Sequence, residues 1–89
     1  MKLKQGIILS PMEDAFVAVA AGEAAKSFSG MVRMNATAAF ICEHMKEETT
    51  IDALVRAVVD TYEGVDEARA RASVERVVAD LRAASLMEE

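Results

Sequence analysis

Histidine and cysteine, two side chains often used for metal binding and nucleophilic catalysis, each occur once in the sequence, as His44 and Cys42. Two residues that are two positions apart on a helix do not face each other, so this pair does not provide a zinc ligand set. We expect His44 to be solvent-exposed or to cap a helix. We expect Cys42 to be a small buried hydrophobe, because nothing nearby in sequence would lower its pKa.

The acidic residues and the glycines form no catalytic pattern. Carboxylates are spread over predicted helix surfaces and turns, whereas a catalytic carboxylate needs a cleft that perturbs its pKa. The four glycines, Gly6, Gly22, Gly30 and Gly64, are too dispersed for a phosphate-binding loop. The sequence therefore predicts a protein that is not an enzyme and has no metal or cofactor.

Length and composition limit the architecture and the compartment. A chain of 89 residues can bury one core, so residues 1–89 are predicted to be a single domain. The single cysteine excludes an internal disulfide, and the sequence starts without a secretory signal pattern, so we expect a cytoplasmic protein. No apolar stretch reaches the roughly 18 to 20 residues that cross a bilayer, which argues against a membrane role.

The formal net charge is −5. Lys and Arg contacts to phosphates supply most of the non-specific affinity of nucleic-acid-binding proteins, which therefore normally carry a basic patch. The composition offers no such patch, so we expect no nucleic-acid partner.

The first third of the chain is predicted to form three short antiparallel strands. Apolar runs at residues 3–9, 15–20 and 27–34 are separated by turn signals at Pro11 and Gly22. Met31 and Met34 in the third run are an odd number of positions apart, so a regular strand directs them to opposite faces.

Three helices are predicted to follow the strands. Asn35, Thr50 and Asp66 are suitable N-cap residues, and the first two precede helices at residues 36–46 and 51–62. The pattern as a whole predicts an α+β, winged-helix-like fold.

The third predicted helix has an apolar stripe that is expected to face the core. At about 100° per residue, five residues share this stripe: Ala70, Val74, Val77, Leu81 and Ala84. Val78 is expected to lie to one side of the stripe, between Arg71 and Arg82. The opposite flank, with Arg69, Ser73, Arg76 and Asp80, is more uniformly polar.

The third predicted strand has little protection against pairing with another chain. Its only charged residue is Arg33, and it contains no proline. Edge strands are normally blunted by charge, proline or a covering element. This strand is therefore either covered by another element or used for strand addition.

These residues also resemble a known family, the PQQ-synthesis protein D family. The resemblance rests on the order and spacing of several short segments across most of the chain. They are the run from Gly30 to Ala38, Ile41-Cys42, Thr50-Ile51-Asp52-Ala53-Leu54, Tyr62, Val74, Leu81 and Leu86.

The resemblance implies a small non-enzymatic peptide chaperone of the kind also called a RiPP recognition element. Such proteins present the leader segment of a precursor peptide to a modifying enzyme, often a radical-SAM protein. The implied mode adds a leader strand beside the third strand, in a groove whose other wall is the third helix. The expected peptide-binding residues are Ser27, Phe28, Ser29, Met31, Val32, Arg33, Met34, Arg71, Glu75, Val78 and Arg82.

Two other functions stay open at this point. A winged-helix domain could place its third helix in the DNA major groove, although Glu67, Glu75 and Asp80 alternate with the arginines there. Alternatively, the exposed strand could pair with itself in a homodimer that serves as a structural subunit.

Overall fold

The computed structural model describes residues 1–22, 24–27 and 31–88, with the side chains of Ala24 and Ser27 left aside. Within these residues, nine elements follow one another: β1 (Lys2–Leu3), β2 (Ile7–Pro11), β3 (Phe16–Ala20), α1 (Ala24–Ser27), β4 (Met31–Met34), α2 (Ala36–Glu43), α3 (Ile51–Thr61), α4 (Glu67–Ala83) and β5 (Met87–Glu88). The predicted α+β class, with a three-stranded antiparallel sheet followed by three longer helices, is confirmed.

The main sheet has the order β2-β3-β4, so β4 lies at one edge. Its register pairs Ile8 with Val19, and Ala18 with Val32. Pro11 was predicted to lie in a turn, but it is the last residue of β2 and pairs with Phe16. The missing N–H of a proline is tolerated there because β2 is the other edge strand of the sheet.

Two predicted strands have different bounds in the structure. The strand predicted at residues 3–9 is interrupted by Gly6, whose φ of 92° lies in the region that glycine readily adopts. The strand predicted at residues 27–34 includes only Met31–Met34 among the described residues, since Ser27 ends the short helix α1. Phe28 and Ser29, the next two predicted strand residues, lie outside the described residues.

A second, two-stranded sheet joins the two ends of the chain and was not predicted. Leu3 in β1 pairs with Met87 in β5. The N–H of Leu3 also donates to the carbonyl of Met45, at 2.8 Å, and Leu3 is buried. Leu3 and Met87 both belong to the core, so this small sheet forms part of its boundary next to the loop that follows α2.

All three predicted helix caps are confirmed. Each cap side chain accepts a hydrogen bond from a backbone N–H three residues on: Asn35 from Ala38 at 2.8 Å, Thr50 from Ala53 at 3.1 Å and Asp66 from Arg69 at 2.8 Å. Helix α2 ends at Glu43, earlier than the predicted residue 46, and His44 is its exposed C-cap. Helix α3 ends before Gly64, which has a φ of 77°.

The core lies between the three longer helices and the two sheets. Its largest fully buried side chains are Ile41, Met45, Leu54, Leu86, Val58, Val74 and Cys42. Helix α4 contributes Ala70, Val74, Val78 and Leu81. Val78 therefore belongs to the core stripe, whereas Val77 and Ala84, which were predicted to face the core, are half-buried at its margin.

Candidate functional site

Strand β4 presents an open edge with alternating side chains. Met31 is 66% exposed and Arg33 is exposed, whereas Val32 and Met34 are half-buried against the core. This alternation confirms that the two methionines of the strand point to opposite faces. In the part of the chain that the structure describes, no strand pairs with the outer side of β4. Its outward N–H and C=O groups are the kind that an added strand can use.

A groove of about 570 Å³ lies between this strand and helix α4. One wall is formed by the end of β4 and the start of α2, through Arg33, Met34, Asn35, Thr37 and Ala38. The other wall is one flank of α4, formed by Ser73, Arg76, Val77 and Asp80. The groove thus has polar rims and small or half-buried apolar residues between them.

Two arginines stand on opposite walls of the groove, in different electrostatic situations. Arg33 forms an ion pair with Asp14, with 3.1 Å between its Nη2 and the carboxylate Oδ1. The guanidinium of Arg76 has no ion-pair or hydrogen-bond partner among residues 1–22, 24–27 and 31–88, and the same holds for the carboxylate of Asp80. Arg76 is therefore the cation of the groove that is available to a bound ligand.

Cys42 lies behind the groove, on the core side of β4. Its Sγ is 3.7 Å from the Sδ of Met34. Burial, and to a smaller degree the charge of Glu43, raise the pKa of the Cys42 thiol from 9.0 to about 11. The thiol stays protonated at neutral pH, so the prediction of a small buried hydrophobe is confirmed.

The opposite flank of α4 faces helix α3 and does not line the groove. Arg71 donates to Asp52 of α3 at 2.8 Å and lies 3.7 Å from Glu67 in the same helix. The hydrogen bond to Asp52 is the main cause of the raised pKa of Arg71. Desolvation opposes it less strongly, and the charges of Asp52, Glu67 and Glu75 each raise the pKa by a smaller amount. This arginine is already engaged within the fold.

The residues of α4 that were predicted to form a groove wall do not line this groove. Val78 is 3% exposed, in the core, so it cannot form the exposed wall of a groove. Arg71 and Glu75 lie on the α3 side, and Arg82 is an exposed residue outside the groove lining. The apolar stripe of α4 includes Val78, which is buried in the core, whereas Val77 is half-buried at the margin of the core.

Three groove-lining residues of α4, Ser73, Arg76 and Asp80, are on the flank that the sequence marks as more uniformly polar. The fourth, Val77, was predicted to face the core. One signal could have found them. Helix α3 has an amphipathic pattern with Leu54, Val55 and Val58 buried. Its closest partner along the chain is α4, so α4 must turn one flank towards α3 and the other towards the sheet.

His44 and the carboxylates do not form a further site. The His44 ring lies tilted against the ring of Phe40, with 4.4 Å between ring centroids, and its Nδ1 lies 3.0 Å from the Phe40 carbonyl oxygen. Among the described residues, no group of three or more His, Cys, Asp or Glu side chains could hold a metal ion. Of the helices described, none is both long and apolar enough to span a bilayer.

The fold and the groove define a small α+β domain with an open sheet edge beside a helix. The model of the family described as "Coenzyme PQQ synthesis protein D (PqqD)" matches residues 7–87. The chain therefore belongs to the PqqD family, which confirms the resemblance seen in the sequence.

A solved structure with a similar fold is described as "TbiB1 in Complex with the TbiA(beta) Leader Peptide". The two chains share 17% sequence identity with a TM-score of 0.74, over 99% of this chain and 95% of the other. At this identity the likeness is one of fold. No curated protein matches the chain significantly.

Proposed function

We propose that this protein is a non-catalytic peptide chaperone that binds the leader segment of a ribosomally made precursor peptide. The leader adds as a strand along the open edge of β4, and alternate side chains of the leader enter the groove beside α4. The protein then presents the precursor to a modifying enzyme of the radical-SAM or another class.

The observation that carries this proposal is the open edge of β4 next to a groove that is closed on its far side by a helix. Backbone hydrogen bonds to an edge strand provide affinity for any extended peptide, and pockets for alternate side chains provide specificity. Family membership supports this use of the edge. The TbiB1 structure, which is described as a leader-peptide complex, supports it through the shared fold.

The proposal is tested with synthetic peptides that tile the short open reading frames neighbouring the gene of this protein. By nuclear magnetic resonance, a binding peptide should slow hydrogen exchange of the outward-facing amides of β4. Since N–H groups alternate in direction along an edge strand, prolines at Met31 and Val32 should differ in effect. One should abolish peptide binding in a folded protein, and the other should destabilise the sheet.

Two results would count against strand addition. The first is that both proline variants fold and bind peptide normally in titration calorimetry. The second is that a peptide binds but leaves the exchange of β4 amides unchanged while protecting amides elsewhere.

The role in presentation is tested separately from binding. A peptide-modifying enzyme encoded beside this protein should modify the full precursor faster when the protein is present. The folded proline variant that cannot bind peptide is the matched control, and it should give no acceleration. Equal rates with and without the wild-type protein would remove the chaperone role but leave peptide binding intact.

A further inference from the structure

We propose that the groove between β4 and α4 selects peptides in which an acidic residue lies two positions from an apolar one, with Arg76 binding the acid. This inference rests on the proposed function, because it specifies the chemistry of the peptide taken by the same groove.

The groove lining has more cationic than anionic side chains. The chain as a whole has a formal net charge of −5. The groove lining nevertheless contains two arginines, Arg33 and Arg76, against one aspartate, Asp80. Complementary charge at a binding surface raises the rate of encounter and suppresses partners of the wrong sign. Asp14 neutralises Arg33 from outside the lining, so the charge that favours an anionic segment is that of Arg76.

The two arginines of the groove differ in whether they are already paired. Arg33 already pairs with Asp14, at 3.1 Å. Arg76 has no ion pair with any residue in the described ranges. A guanidinium has five donors in a planar fork that matches a carboxylate, so an unpaired one is well suited to bind Asp or Glu. Selection of the acid is therefore assigned to Arg76.

The apolar residues beside Arg76 set the spacing between the two peptide side chains. Val77 is next to Arg76 on the same wall, and Met34 is on the facing wall, and both are half-buried. They provide an apolar floor beside the charged rim. In an extended peptide, residues two positions apart point to the same face. Of two such peptide side chains, one reaches Arg76 and the other packs on Val77 and Met34.

Asp80 restricts the pattern further. Asp80 lies one turn after Arg76 on the same wall, and its carboxylate has no partner in the described part of the chain. A second acid beyond the first would meet this carboxylate and be repelled. The groove should therefore favour a single acidic residue over an acidic run.

The test uses a phage-displayed library of random peptides, panned against the wild-type protein and two charge-reversal variants. Wild type should recover peptides with Asp or Glu two positions from Leu, Ile, Val or Met. Arg76→Glu should recover peptides with Lys or Arg at the acidic position. Arg56→Glu is the matched control, since Arg56 is exposed on α3 outside the groove, and it should recover the same peptides as wild type.

The most enriched wild-type peptide is then synthesised, and its affinity is measured by fluorescence anisotropy. Replacing its acid with Lys should weaken binding to wild type about tenfold, the scale of one charge-assisted hydrogen bond. The same replacement should strengthen binding to Arg76→Glu. Arg76→Lys should retain the preference for acid, and circular dichroism checks that each variant is folded.

The outcomes distinguish this inference from the proposed function. Peptides that show no acidic preference, yet lose binding in the folded β4 proline variant, overturn the inference and leave the proposed function standing. An acidic preference that persists in Arg76→Glu, or that is lost equally in Arg56→Glu, overturns the assignment to Arg76. If neither the library nor the tiled peptides bind wild type, both proposals fail.

Discussion

The two flanks of α4 carry similar residues but differ in how those residues are engaged. On the flank towards α3, Arg71 is held by Asp52 at 2.8 Å and lies near Glu67. On the flank towards β4, Arg76 has no such partner among the described residues. Within one helix, the arginine of the first flank is engaged by intramolecular contacts, and the arginine of the second has none among the described residues.

The difference shows that an arginine on a helix surface cannot be assigned to a site from its position on the helical wheel alone. What decides is whether a carboxylate of a neighbouring element is within reach. Asp52 lies 19 residues before Arg71 in the chain, in another helix. Tertiary packing therefore determines which flank is available for binding.

The largest expected effect is on stability, and it comes from a charge introduced on the core side of the boundary between the core and the groove. Val78→Asp places a carboxylate at a site that is 3% exposed. An unpaired charge in the core should cost about 4 kcal/mol of the free energy of unfolding, a large part of the roughly 5–15 kcal/mol that holds a domain together. Urea unfolding measures this cost.

The matched control is Val77→Asp, at the next residue on the groove side. Val77 is half-buried, so its variant should stay folded and lose much less stability. If Val78→Asp proves as stable as Val77→Asp, the boundary between the core stripe and the groove flank has been drawn in the wrong place.

The second prediction concerns Cys42, which supports the groove strand from the core side. Its thiol pKa rises from 9.0 in the unfolded chain to about 11 in the folded protein. Between these values the folded state keeps a proton that the unfolded state has lost. The contribution to stability is full below pH 9 and is lost as the pH rises towards 11, a fall of about 2–3 kcal/mol.

Cys42→Ala is the control, because it removes the titration of the thiol and leaves the titration of the other groups unchanged. Its stability should fall less steeply above pH 9 than that of wild type, at a cost of about 1 kcal/mol at neutral pH for the lost packing. Peptide binding should be nearly unchanged, since Cys42 is buried behind β4. Loss of binding in the folded variant would show that a side chain behind β4, and not only the groove lining, contributes to peptide binding.

The parts of the fold that sequence could predict are those fixed by local chemistry. The caps at Asn35, Thr50 and Asp66 depend on a side chain and an N–H three residues away. The edge strand at Met31–Met34 was recognisable from its apolar residues and its single charge. These features need no knowledge of the rest of the molecule.

The parts that it could not predict depend on contacts between distant segments. Strand β5 exists because Met87 pairs with Leu3, at the other end of the chain. The groove wall depends on which side of α4 meets α3, and an apolar stripe that includes both Val77 and Val78 leaves that choice open. Tertiary packing determines which side of α4 meets α3, and it buries Val78 in the core.

A third prediction addresses the groove flank directly. Val77→Asp should weaken binding of a tiled or selected peptide by about 1–2 kcal/mol, the scale on which interface residues count as important. The cause is loss of the apolar floor, together with repulsion of an acidic peptide. Isothermal titration calorimetry measures the change. The control is Val59→Asp, at an exposed apolar residue on α3, which should leave the affinity unchanged.

The smallest expected effect is at the occupied flank. Arg71 makes its ion pairs at the surface, with Asp52 and Glu67, both of which are highly exposed. Exposed pairs contribute little, because solvent and salt screen them. Arg71→Ala should therefore lower the thermal midpoint slightly at low salt, and the difference from wild type should shrink as salt is added. Peptide affinity should not change, because Arg71 faces α3. A marked loss of affinity in folded Arg71→Ala, with Arg76→Ala binding normally, would reverse the two flanks and place the ligand beside α3.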